Sequence, residues 1–156
     1  MLRPQMPLGR LVPPAGGGRL GQVADESGAG QQRVRAKDAL GAYGERVAAA
    51  HLVAAGMTVL DRNWRCPIGE IDIVARDGDV LVVCEVKTRS SVAFGHPAEA
   101  VDWRKQRELV RSATVWIDRH GRPNESYRFD VIGVLVDGNS VRVKHVENAF
   151  LPGSKP

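Results

Sequence analysis

Apolar residues recur along this chain with two periods. Over residues 37–55 an alanine-rich run carries Leu40, Tyr43, Val47 and Ala54 at helical spacing and ends at Gly56, which predicts a first helix. Residues 57–64 read as a first strand, placed at a sheet edge by Asp61, Arg62 and Asn63, which interrupt the apolar pattern. Two more apolar runs, 68–76 and 79–89, flank Asp77-Gly78, a strong hairpin signal because both residues tolerate the positive φ of a tight primed turn. Residues 97–120 predict a second helix, with a proline near its start, Gly121 as its stop, and Leu109, Val110, Ala113, Trp116 and Ile117 as its buried face. Residues 127–136 and 140–147 alternate around Asp137-Gly138-Asn139 and predict a closing hairpin. The central hairpin is apolar on both faces, so helices should cover both sides. The expectation is an α/β domain over residues 35–150, a central mixed five-stranded sheet with a helix on each face, followed by a short tail at 151–156.

The polar residues inside this pattern carry the candidate chemistry. A hairpin loop of two or four residues sets Val83 across from Asp72 and Glu85 across from Glu70. Asp72, Glu85 and Lys87 then share one face, with the two acids as diagonal neighbours about 7–8 Å apart at the Cβ. Two acids in so apolar a place repel unless one is protonated or a cation lies between them. Mg²⁺ or Mn²⁺ suits carboxylate oxygens and commonly takes only one or two of them. Glu70 shares the face and either supports such an ion from behind or bonds a basic neighbour. Cys84 points the other way, as a small core residue.

Further candidates each have more than one reading. Glu45 falls on the side of Ala48 and Leu52, so it either meets the site or pairs outward with a neighbour such as Arg46. Arg104, Arg107 and Arg111 recur at i, i+3 and i+7, flanked by Lys105 and Gln106, as a solvated face or a phosphate track. Arg89 opens the polar loop over residues 88–97 and is either a surface arginine or a phosphate contact. Asp130 either pairs with the neighbours of Arg128, supports the site, or is a solvent-facing strand residue.

An acid on one strand followed by Glu85-Val86-Lys87 on the next resembles the signature of the restriction-endonuclease-like nuclease superfamily. The wider set, Gly69-Glu70-Ile71-Asp72, Glu85-Val86-Lys87-Thr88-Arg89, Phe94-Gly95-x-Pro97-x-Glu99-Ala100-Val101 and Arg128-Phe129-Asp130, resembles the YraN-like bacterial family, itself similar to archaeal Holliday-junction resolvases. The resemblance covers roughly residues 41–150. It implies a three-layer αβα nuclease fold. Asp72, Glu85 and the Val86 carbonyl would hold Mg²⁺ or Mn²⁺, Lys87 would act on the reacting phosphate, and Glu45 would match a first-helix glutamate of the resolvases. The activity implied is metal-dependent cleavage of phosphodiesters in DNA before RNA, with branched or junction DNA as the sharpest substrate. A nucleic-acid-binding protein without turnover, and an interaction domain whose acids only balance Lys87, are the competing classes.

Composition narrows this modestly. With 156 residues, 43% of them hydrophobic, the chain is long enough for one domain with a substantial core. The net charge of +4 and pI of about 9.4 suit a polyanionic partner without requiring one. Cys66 and Cys84 are too few for a disulfide framework or zinc site, which points to a reduced, cytoplasmic setting. Residues 1–34 are rich in Gly, Pro and Arg, hold no run suited to a signal peptide or membrane span, and read as a disordered tail. The alternative is a basic arm using Arg3, Arg10 and Arg19. Pairing of two copies into a homodimer stays open.

Overall fold

The computed structural model describes residues 26–90 and 96–153. The tail reading for residues 1–25, with its three arginines, and the Phe94-Gly95 part of the loop motif lie outside the described residues. The elements run α1 (Glu26–Ala54), β1 (Thr58–Arg65), β2 (Glu70–Asp77), β3 (Val80–Arg89), a 3-10 turn (Pro97–Ala100), α2 (Trp103–His120), β4 (Ser126–Asp137) and β5 (Ser140–Phe150). They build a three-layer α/β fold around one mixed sheet in the order β1-β2-β3-β4-β5. Only β3 and β4 pair in parallel, and α2 lies in the crossover that joins them.

Each face of the sheet buries one helix. On one side Val47, Ala48 and Leu52 of α1 meet Ile73, Ala75, Val82, Cys84, Ile132 and Val134. On the other, Leu109, Ala113 and Trp116 of α2 meet Val74, Leu81, Val83, Phe129, Val131 and Phe150. The continuous apolar runs of β2 and β3 are thus the centre of a sheet with no wet face, and β1 is an edge as its polar interruptions suggest.

Local chemistry sets the helix ends. α1 closes through Gly56, at φ 90°, where the Gly56 N–H donates to Val53 O and the Met57 N–H to Leu52 O, both at 3.0 Å. That is the paired bonding of a Schellman cap, and Met57 and Leu52 supply its apolar contact in the core. α1 begins at Glu26 rather than near residue 37, so the segment read as tail is helical from residue 26 onward. Residues 29–39 are exposed, so this part of the helix has no buried stripe by which periodicity could reveal it. α2 begins at Trp103, not at Pro97, because Asp102 caps it: Oδ1 accepts from the Lys105 N–H at 2.9 Å. Pro97 instead opens the 3-10 turn and sits over Gly133, where any Cβ would overlap its ring.

The central hairpin turns on Gly78-Asp79, with Asp77 paired to Val80 and Gly78 at φ 58°. Its ladder, running to Ile73 against Cys84, is two residues away from the register that opposed Glu85 to Glu70. Along the paired rungs, Ile73–Asp77 against Val80–Cys84, an even shift keeps each side chain on its expected face but changes which residues face each other. The second hairpin repeats the device, with Asp137 paired to Ser140 and Gly138 at φ 56°.

At Gly44 α1 comes so close to β3 that a Cβ there would collide with the Thr88 side chain. In an uncrowded helix Gly→Ala stabilises by about 1 kcal/mol. Here Gly44→Ala is expected to destabilise by about 1–3 kcal/mol as an overpacking change, and Thr88→Ala should relieve part of that loss. Denaturant unfolding of the two single variants and the double variant checks the sign; a stabilised Gly44→Ala would show that α1 can draw back from the sheet.

A carboxylate site at the parting of two strands

Past Ile73 and Cys84 the β2–β3 ladder stops, and Asp72 takes its place. The Asp72 Oδ2 accepts the Val86 N–H at 2.8 Å, a backbone donor that β2 would otherwise have met with a carbonyl. Asp72 and Glu85 lie one residue beyond the last rung, Ile73 against Cys84, and each feels the other's charge or hydrogen bonding. The neighbouring β1–β2 ladder skips the same level: Arg62 pairs with Ile73 and Trp64 with Ile71, while Asn63 between them adopts φ 49°. Ile71, two residues from Ile73, packs on the α2 side while Ile73 packs on the α1 side, so β2 turns over at Asp72. The strands part there, and the carboxylates occupy the fork.

Glu85 is the most constrained group in the fork. It is only 5% exposed, and its Oε1 faces the Lys87 Nζ at 3.3 Å and the Lys105 Nζ at 4.0 Å. Among the described residues its Oε2 is buried without a hydrogen-bond partner. Burial first, and the charge of Asp72 second, push its pKa up to about 7, against the pull of Lys105 and Lys87. Burial also raises Asp72, offset in part by the Val86 N–H and by Glu85. A buried, unsatisfied carboxylate oxygen beside a second carboxylate is a donor set suited to a divalent cation, which would replace the missing partner and relieve the repulsion. Among the described residues no three His, Cys, Asp or Glu groups converge as a complete ligand cluster, so protein carboxylates could fill only part of such an ion's shell.

The other expected residues divide between this fork and elsewhere. Glu45 comes to it from α1: burial raises its pKa, Asp72 and then Glu70 add to that, and a hydrogen bond with Asn63 opposes it. Glu70 is not opposed to Glu85; it lies against Arg65 in the β1–β2 ladder and pairs with it at 3.3 Å, at the rim of the fork. Arg104, Arg107 and Arg111 are exposed along α2, with the Arg104 guanidinium 5.3 Å from the ring centre of the exposed Trp103. Lys105 leaves that stripe and turns to Glu85. Arg89 follows β3 out of the site and donates to the Thr88 carbonyl at 3.1 Å.

Asp130 belongs to a different cluster and is not solvent-facing. It alternates with Phe129 and Val131, which pack under α2, so it faces α1, across the sheet from Glu85. It is 1% exposed and accepts from Arg128 Nε at 3.0 Å and from the Asn148 N–H at 2.9 Å, with His145 Nε2 at 2.8 Å. His51 of α1 extends the chain, 3.3 Å from His145. Burial works to raise the Asp130 pKa, but its His145, Arg128 and Asn148 partners outweigh it and the net shift is downward. Burial lowers His51, and the neighbouring His145 adds to that.

Sequence reasoning missed Asn63, Glu108 and the placement of Lys105. A mid-strand Asn followed by aromatic Trp64 was a weak signal of left-handed backbone. Nothing in one sequence places a residue of α2 against β3.

Residues 44–134 match the family model for UPF0102, an uncharacterised protein family. A UPF0102 protein of Beutenbergia cavernae is 54% identical over 114 residues, covering 72% of this chain and 97% of its own length. One from Frankia casuarinae is 51% identical over 118 residues, covering 75% and 100%. A third, from Streptomyces griseus, is 58% identical over 104 residues, covering 66% and 87%. Among the described residues no helix is long and apolar enough to cross a membrane.

The raised pKa of Glu85 has a thermodynamic consequence. Between about pH 4.5 and about 7 the unfolded chain has released this proton while the folded protein retains it, so metal-free protein should lose stability as pH rises through that window. Asp72 and Glu45, also raised, act in the same direction, whereas the lowered His51 opposes them below its ordinary 6.5. The informative comparison is therefore between wild type and Glu85→Gln: denaturant melts across pH 4.5–7.5 should show a shallower loss for the variant. Parallel curves would mean that Glu85 is ionised throughout.

Proposed function

The chain belongs to the UPF0102 family, and from the chemistry of its carboxylate fork we propose that it is a metal-dependent endonuclease that hydrolyses phosphodiesters, in DNA before RNA. The observation that carries this reading is Glu85: buried, beside Asp72, with one oxygen facing two ammonium groups and the other, among the described residues, unpartnered. Asp72 and Glu85, with the Val86 carbonyl, would hold Mg²⁺ or Mn²⁺. Such an ion supplies charge against the phosphate and lowers the pKa of an attacking water.

The remaining work falls to the chain itself. Glu85 Oε1 fixes the Lys87 ammonium at 3.3 Å, so its charge is already oriented when negative charge develops at the scissile phosphate. The Val86 N–H holds one Asp72 oxygen and so favours the orientation beside Glu85. Glu45 adds a third acid from α1, and Glu70 supports the set from the rim. The exposed arginines of α2, with Trp103 as a flat apolar surface beside them, form a track for backbone phosphates. The resemblance to junction resolvases and the restriction-endonuclease-like nucleases makes branched DNA the first substrate to try.

A second reading has its own observation. Lys87 and Lys105 both face the same Glu85 oxygen, a pairing that a binding protein of nuclease fold without turnover would also need to hold this carboxylate in place.

Cleavage of a panel of junctions, flaps, single strands and linear duplex, with Mg²⁺ or Mn²⁺ against a chelator, separates the two. Lys87→Met should lower turnover by about 10²-fold or more while ion and DNA binding persist. Glu85→Gln should abolish metal-supported cleavage and leave DNA affinity intact or increased. A wild-type protein that cuts nothing, or cuts no better than these variants, would put the binding reading first.

Glutamine at Arg104, Arg107 and Arg111 together should weaken binding to unrelated sequences alike and make the plot of log affinity against log salt shallower, since fewer counterions are displaced. An unchanged salt slope would return the stripe to the role of a solvated face.

A further inference from the structure

Lys105 sits on the first turn of α2, where Asp102 fixes the backbone by capping its N–H at 2.9 Å. Its ammonium bonds Glu108 Oε1 at 2.9 Å and stands 4.0 Å from Glu85 Oε1. Glu108 is itself seated: Gly69 lies beneath it, and a Cβ at that position would overlap the Glu108 carboxylate. Gly69 in turn closes the tight turn before β2, with the Cys66 N–H donating to its carbonyl at 2.9 Å. A glycine, a glutamate and a capped helix end thus converge to hold one lysine over the carboxylate fork, on the same oxygen that Lys87 faces.

We propose that Lys105 is an exchangeable counter-ion of the fork: it balances Glu85 when no divalent ion is bound, and is released by the ion to contact a substrate phosphate, with Glu108 as its tether. The inference rests on the fork being a divalent-ion site for a nucleic-acid substrate. The physical basis is competition. A cation at Glu85 Oε2 and the Lys105 ammonium near Oε1 repel each other and share one carboxylate, so each weakens the other's hold. Glu108, partly open to solvent, can keep Lys105 at the mouth of the fork after Glu85 has released it. Binding of the ion and of a polyanion then become coupled through this side chain, and by linkage each strengthens the other. Lys87, on the strand beside Glu85, lacks such a second carboxylate among the described contacts and stays with Glu85.

The test measures binding in a Lys87→Met background, in which turnover is suppressed. Calorimetry with Mn²⁺ alone should show about tenfold tighter binding for Lys87→Met/Lys105→Met than for Lys87→Met, because a competing charge has been removed. Binding of a short duplex by fluorescence anisotropy should be strengthened by Mn²⁺ about tenfold more in Lys87→Met than in the double variant. Lys105→Arg should keep the coupling, and Glu108→Gln should weaken it without changing Mn²⁺ affinity as much. Equal Mn²⁺ affinities, or an equal gain in duplex affinity from Mn²⁺ with and without Lys105, would overturn the proposal. If wild type cleaves no substrate and yet this coupling is present, the nuclease reading fails while the exchange stands; if wild type cleaves and the coupling is absent, the reverse holds.

Discussion

The structure depends on keeping two carboxyl groups in a place where the sheet would otherwise be dry. Removing an ionised carboxylate from water costs several kcal/mol unless charge or hydrogen bonds compensate. At the Asp72–Glu85 fork the compensation comes from two layers, a backbone N–H of β3 and ammonium groups from β3 and α2, while Glu45 of α1 adds a further negative charge that only Asn63 of β1 answers. It remains incomplete, since among the described residues one Glu85 oxygen has no partner, and burial with the Asp72 charge pushes the Glu85 pKa up to about 7. Incomplete compensation in a buried cluster is what makes the fork, rather than a fully paired carboxylate, the candidate binding position.

The same sheet supplies the contrast. Asp130, as deeply buried on the opposite face, has Arg128, His145 and the Asn148 N–H around its carboxylate, and its proton affinity falls. That cluster ties β4 to β5 and, through His51, to α1. One carboxylate is satisfied and serves the packing. The other is left open. Both lie on strands beside parallel-paired backbone, so burial alone does not separate them; the partners do.

Close approach of the layers is what brings the open site together. Gly44 allows α1 to press on Thr88, one residue beyond Lys87, and so delivers Glu45 toward Asp72. Gly133, paired with Lys87 across the parallel ladder, lets Pro97 settle on the sheet before α2 begins. Gly69 makes room for Glu108 and hence for Lys105. A side chain at Gly44 or Gly133 would meet the Thr88 side chain or the Pro97 ring and force a shift larger than a packed interior yields without cost, whereas one at Gly69 would displace the Glu108 carboxylate that holds Lys105.

Much of this was legible in the chain. Period-2 apolar runs around two Asp-Gly turns determined both hairpins, and a strand apolar on both faces required helices on both sides. Because side chains alternate along the paired rungs, a register error of two residues left the faces of Ile73–Asp77 and Val80–Cys84 as expected, while the turning over of β2 at Asp72 lay beyond any alternation pattern. What local pattern could not carry was set by contacts distant in sequence. The start of α1 has no buried stripe, the true start of α2 depends on one capping aspartate, and Asp130 alternates away from the site. The parting of β2 and β3, and the arrival of Glu45 and Lys105 from opposite faces, follow from how three layers close over one another. Periodicity reports which way a residue points along its own element; which groups meet is decided only when the elements pack.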